Sequence, residues 1–135
     1  MTQHLQGLRG LRATIIGAAR EGTALARYLV ACGSVVTLAD NKPAAALKHL
    51  PEVEGLDLRL VLGRLPDLSD VDVLFVSPGV PPYAEIVREA RRRGVPISSE
   101  PRLFTQTCQA PIVGITGSSG KTTTVALTAK MYAAG

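Results

Sequence analysis

The chain has 135 residues, 46% hydrophobic but only 4% aromatic and without Trp; it has room for one ordinary domain, with a core of Leu, Val, Ile and Ala, the usual filling of a parallel sheet covered by helices. The formal charge of +4 suits an anionic ligand. Much of the excess lies at Arg88, Arg91, Arg92 and Arg93 without interleaved aromatics, which reads as a solvated helix end favoured by the macrodipole, and no nucleic-acid partner is expected.

In chain order, "ATIIG" from Ala13 is a short β-rich run ending at Gly17, and the helical stretch after it places Leu25, Tyr28, Leu29 and Cys32 on one face before Gly33 stops it. "SVVTLAD" (34–40) is a second buried strand ending in an acid, and Pro43 opens a short helix to Leu50. "LRLVL" (58–62) is a third strand and "VDVLFVS" (71–77) a fourth, stopped by "PGVPP". "YAEIVREARRRG" (83–94) is an amphipathic helix with Ile86, Val87 and Ala90 inward and Gly94 as its stop. "VPIS" (95–98) is a short fifth strand and "EPRLFTQT" (100–107) a helical turn or two.

Strands alternating with helices across short turns predict right-handed crossovers and an α/β, Rossmann-like parallel five-stranded sheet with flanking helices. Ligands of such sheets sit beyond the carboxyl ends of the strands, which puts Gly17 to Gly22, Asp40 and Ser77 to Val80 on one rim. At Pro111 a new unit opens: "PIVGIT" as a strand, "GSSGK" as a loop and 122–134 as a helix. The expected division is a Rossmann-like domain over 1–108 and, over 109–135, the first strand-loop-helix of a P-loop ATPase domain.

Cys32 and Cys108 lie far apart, and His4 and His49 have no ligand-like spacing, so two buried thiols are expected rather than a disulfide framework or a zinc site. "MTQHLQGLRGLRA" lacks the apolar core of a signal peptide and no run reaches the length of a membrane span, so no membrane insertion and a cytoplasmic protein are expected.

Three motifs carry chemistry. "GAAREG" (17–22) keeps the first and last glycines of the dinucleotide pattern GxGxxG but has Ala19 where backbone approaches a pyrophosphate, which weakens the case for NAD; Asp40 stands where a ribose-binding acid would. "SPGVPP" (77–82) is either a rigid turn or a Ser hydroxyl and Gly N–H placed for a phosphate. "GITGSSGKTTT" (114–124) departs from GxxxxGK[ST] only in having Ile115 at the first glycine; N–H groups of residues 117–122 would cradle a polyphosphate, with Lys121 against its β and γ groups and Thr122 on Mg²⁺.

Taken together, "GAAREG" followed by Asp40, "SPGVP", and "APIVGITGSSGKTTT" after "SEPRLF" resemble the ATP-dependent Mur ligases of bacterial peptidoglycan synthesis, which share a short "TGxxGKTT" loop. The similarity is greatest to the members that join D-glutamate to UDP-N-acetylmuramoyl-L-alanine, and it spans nearly the whole chain from about Gly7. It implies that the first domain holds the UDP end of the substrate. Gly17, Arg20 and Glu21 would contact the uracil or diphosphate, Asp40, Asn41 and Lys42 would surround the uridine, and Ser77, Pro78 and Gly79 would close over it. Gly117, Ser118, Ser119, Gly120, Lys121, Thr122 and Thr123 would hold ATP, with Thr122 on Mg²⁺ and Lys121 stabilising the transferring phosphoryl. Ser119 stands where family members often carry Asn.

The family's chemistry is phosphorylation of the substrate carboxylate by ATP and attack of the D-glutamate amine on the acyl phosphate. On this reading the chain is the front of a three-domain ligase and is inactive alone. Its last strand-helix unit is expected to be mobile, to lie against the first domain or to pair with a second copy. Other readings are a different Mur-type or folylpolyglutamate-type ligase, a non-catalytic UDP-binding module and an NAD-dependent oxidoreductase domain.

Overall fold

The apolar runs assemble as a sheet in a computed structural model that describes residues 7–134. Its strands are β1 (Arg12–Ile16), β2 (Val35–Asp40), β3 (Leu58–Leu62), β4 (Val73–Val76) and β5 (Ile97–Ser98). All pairings are parallel, in the spatial order β3-β2-β1-β4-β5. β1 is the central strand, and Ala13 to Ile16 are all buried, as befits a strand covered on both faces. The chain grows outward through β2 to β3, then crosses back to β4 and β5. The strand order therefore reverses between β1 and β4, the position where open α/β sheets place ligands.

Helices cover both faces. α1 (Arg20–Ala31) buries Gly22, Thr23, Leu25, Ala26 and Leu29, and its apolar core joins Ile15, Val36, Leu38, Phe75 and Leu103. Burying a side chain such as Leu29 contributes about 2 kcal/mol. On the other face α2 (Glu85–Arg93) buries Ile86, Val87 and Ala90 against Ile16, Ala39, Val61 and Leu74. Gly94 ends α2 in the left-handed region (φ 70) after Arg91 to Arg93, a C-terminal cap with cations at the negative end of the dipole. Arg92 and Arg93 also pair with Glu89, and the Arg91 guanidinium donates to the Pro82 carbonyl at 3.3 Å, so the basic run is a solvated helix end. α3 (Glu100–Thr107) starts at Ser99, whose hydroxyl accepts the Arg102 N–H at 3.4 Å.

Several expectations need correction. The Pro43–Leu50 helix is replaced by two short 3-10 turns, Ala44–Ala46 and Leu50–Val53: the backbone turns extended at Leu47 (φ -109, ψ 95), and the alanines bury nothing that would offset the cost of a longer helix. Tyr28 is 38% exposed and Cys32 half-buried, because the buried stripe of α1 centres on Thr23, Ala26 and Leu29 and leaves these two at its margin. Cys108 is half-buried as well, and both thiols are free. Residues 111–116 form no strand; a strand needs a neighbour for its N–H and C=O groups, and the described sheet offers none there. The helix that follows, α4 (Lys121–Ala134), satisfies its own backbone and forms, yet buries no residue. His4 lies outside the described residues. Among the described residues, no helix is long and apolar enough to cross a membrane.

Candidate functional site: a cleft at the carboxyl ends of the strands

Three strand ends meet at one level because backbone hydrogen bonds continue past the strands. The Gly17 N–H donates to the Ala39 carbonyl at 2.8 Å, and the Ser77 N–H donates to the Ile16 carbonyl at 3.1 Å. A cleft of about 490 Å³ opens there, lined by Gly17, Ala19 and Glu21 after β1, Asp40, Asn41 and Lys42 after β2, and Ser77, Pro78 and Gly79 after β4.

The glycines of the first turn have separate physical reasons. Gly17 has φ +106, and a Cβ there would lie 2.6 Å from Ser77 Oγ, so this residue must be glycine both for its backbone and for its neighbour. At Gly22 a Cβ would lie 1.8 Å from the Gly17 carbonyl oxygen. The start of α1 therefore packs directly on the turn that precedes it, and only a glycine permits it. Between them Ala19 caps α1 in extended conformation with no side-chain hydrogen bond. The N–H groups of Arg20, Glu21 and Gly22, the first residues of the helix, have no partner within it, and the positive end of the dipole lies with them.

Asp40 fastens this turn to the next one. Its Oδ2 accepts the Ala18 N–H at 2.8 Å and its Oδ1 accepts the Lys42 N–H at 2.9 Å. Each carboxylate oxygen keeps a further lone pair, so the same group can brace the two turns and accept a hydroxyl or imide donor. After β4, the Val80 N–H donates to the Ser77 carbonyl at 3.0 Å, closing a tight turn that Pro78 stiffens.

The cleft carries both signs of charge. Lys42 and Arg64 supply cations, and Glu21, Asp40 and Glu85 supply acids, among apolar walls from Ile16, Leu65 and Val80. That combination suits a ligand with an anionic group, hydroxyl donors and a flat apolar ring.

Of the nine residues expected around a uridine diphosphate, eight line this cleft and Arg20 does not. Arg64, Leu65 and Pro66, on the segment after β3, line it as well and are missed by reading the motifs alone. The signal is nonetheless in the sequence: these residues follow "LRLVL", and the rim of a parallel sheet continues across every strand end.

The second glycine loop lines none of this cleft. Gly117 and Gly120 have φ 159 and 76, Lys121 Nζ donates to the Gly117 carbonyl at 2.5 Å, and the Thr124 N–H and hydroxyl both return to the Gly120 carbonyl at 2.9 and 2.8 Å. The loop thus curls around the lysine at the N-terminus of α4. Among the described residues no group of three or more His, Cys, Asp or Glu is placed to hold a metal ion.

The N-terminal domain model of the MurD-like Mur ligases matches residues 11–99, the whole of the sheet and its cleft. The chain belongs to the MurD-like Mur ligase family. Relatives named UDP-N-acetylmuramoylalanine–D-glutamate ligase include that of Symbiobacterium thermophilum, 43% identical over 86% of this chain and 26% of its own length. Those of Trichlorobacter lovleyi and Salinibacter ruber are 40% and 39% identical, over 94% and 93% of this chain and 29% and 27% of theirs. The chain thus spans a little over a quarter of the length of these ligases. A ligand-free 5-ketofructose reductase of Gluconobacter sp. strain CHM43 is similar in structure at a TM-score of 0.47 and 13% identity, over 75% of this chain and 50% of that one.

Proposed function

We propose that this chain supplies the UDP-holding domain of a cytoplasmic, ATP-dependent ligase that adds D-glutamate to UDP-N-acetylmuramoyl-L-alanine in peptidoglycan synthesis. The observation that carries the reading is the meeting of Gly17, Asp40 and Ser77 at one cleft inside the segment matched as a MurD-like N-terminal domain. In this assignment the unpartnered N–H groups at the start of α1, with Lys42, hold the diphosphate. Asp40 and Asn41 accept and donate to the uridine, and the turn of Ser77, Pro78 and Gly79 borders the sugar end.

The residues of the second loop fit ATP and Mg²⁺: a glycine turn with Gly120 in the left-handed region (φ 76), a lysine held over it and Thr122 in the first turn of the following helix. Gly117, Ser118, Ser119, Gly120, Lys121, Thr122 and Thr123 would hold the nucleotide and Thr122 the metal; bound ATP supplies the phosphoryl group that activates a carboxylate. Lys121 then neutralises charge on the phosphates, and the loop's N–H groups orient them. The 135 residues alone are assigned no ligation activity, so ATP, D-glutamate and the muramoyl substrate together should release no phosphate.

Calorimetric titration with UDP, with NAD⁺ in parallel, tests the cleft. Saturable UDP binding, weakened in Asp40→Ala and matched by no response to NAD⁺, is the expected result. Binding of NAD⁺ without UDP would replace this reading with a redox-cofactor domain.

A further inference from the structure

Thr23 is completely buried in the first turn of α1, and its hydroxyl has three acceptors in range: the Ala19 carbonyl at 3.2 Å, the Arg20 carbonyl at 3.1 Å and Glu52 Oε2 at 3.1 Å. A hydroxyl has one proton to give. The Ala19 carbonyl already receives the Thr23 N–H at 3.0 Å, whereas a carboxylate is the stronger, charge-assisted acceptor. Glu52 belongs to a different segment, the 3-10 turn Leu50–Val53 after β2, and its Oε1 meets His49 Nδ1 at 2.7 Å. The groups facing Glu52 are therefore His49 from its own turn and Thr23 and Arg27 from α1. The hydrogen bonds of His49 and then Thr23 hold its carboxyl below the usual glutamate range, with Arg27 adding to them. Glu52 is an acceptor throughout neutral pH.

The position of this tie gives it a consequence. Thr23 follows Gly22, whose α carbon packs on the Gly17 carbonyl, so the first turn of α1 and the glycine turn at the cleft move as one piece. We propose that Glu52, acting through the Thr23 hydroxyl, is a positioning residue for the cleft: it fixes the first turn of α1 and so the placement of Gly17, Ala19 and Glu21 on the cleft wall, where the anionic part of the ligand is assigned. Glu52 itself does not line the cleft. The inference rests on the reading of that cleft as a UDP site.

The test is calorimetric titration of UDP into this chain and into Thr23→Val, Thr23→Ser, Glu52→Ala and Glu52→Gln, with a thermal melt of each. Losing the bond should weaken UDP binding about fivefold to tenfold in Glu52→Ala and Thr23→Val, while Glu52→Gln and Thr23→Ser, which keep an acceptor and a hydroxyl, stay within about twofold. A merely structural tie would lower the melting temperature and leave the affinity of the folded protein alone. A folded Glu52→Ala or Thr23→Val that binds UDP as tightly as the parent overturns the inference while leaving the cleft assignment standing. If Glu52→Ala does not fold, the Thr23→Val and Thr23→Ser pair decides the same question. A parent chain that binds no UDP overturns the cleft assignment and this inference with it.

Discussion

Replacing Gly22 by alanine sets two known effects against each other. Alanine is favoured over glycine inside a helix by about 1 kcal/mol, so on propensity alone the substitution in α1 would stabilise the protein. The added Cβ, however, would stand 1.8 Å from the Gly17 carbonyl oxygen and 3.0 Å from its carbonyl carbon. Both are backbone atoms and cannot rotate away. Reaching ordinary contact requires the start of α1 and the glycine turn to separate by about 1.6 Å or more, in a region where Thr23, Leu25 and Ala26 are buried. Overpacking of this kind costs about 3 kcal/mol, which leaves a net loss of about 2 kcal/mol, or roughly 8 °C in melting temperature for a chain of this size. Gly79→Ala is the matched control, since no atom lies within 4 Å of a Cβ there. Thermal and urea unfolding followed by circular dichroism should show Gly22→Ala well below the parent and Gly79→Ala within about 0.5 kcal/mol of it. Equal stability of the two variants would refute the close packing of α1 on its turn.

Gly17→Ala should lose about 2 kcal/mol from its left-handed backbone and its contact with Ser77, and Ser77→Gly in the same chain should restore part of that loss by removing the contact; equal stabilities of the single and double variants would contradict the geometry. At the opposite end of the sheet, Arg12 holds Asp72 through its guanidinium and its backbone N–H, which lowers the Asp72 carboxyl from 3.8 to about 2. A depressed carboxylate adds stability above its unfolded value, and that stability is lost as pH falls through the folded one. Asp72→Asn should therefore be less stable than the parent at neutral pH, with the gap closing between about pH 4 and pH 2 in acid titrations of the melt. Lys121→Ala should abolish ATP binding and leave UDP binding unchanged in parallel titrations, because the second glycine loop lines no part of the cleft. Coupled loss of both would contradict two separate sites.

Most of the sheet is legible in the sequence because each strand is a short apolar run with a hard stop. "LRLVL" forms β3 at its predicted bounds, and the acid ending "SVVTLAD" is the brace between two turns. Periodicity alone does not distinguish the buried stripe of α1 from its margin, where Tyr28 lies 38% exposed. Long-range partners leave no local signal. Nothing in the spacing of Thr23 and Glu52 announces their hydrogen bond, since it depends on how the 3-10 turn after β2 is laid against α1. Residues 111–116 carry the composition of a strand, but composition supplies no neighbour to pair with.

The cleft assignment is tested most directly by ¹⁵N–¹H correlation spectra of this chain titrated with UDP. Saturable shifts should gather at Gly17 to Gly22, at Asp40 to Lys42 and at Ser77 to Val80, with residues 117–123 unmoved. Shifts confined to residues 117–123, or a cleft that answers to NAD⁺ and not to UDP, would contradict it.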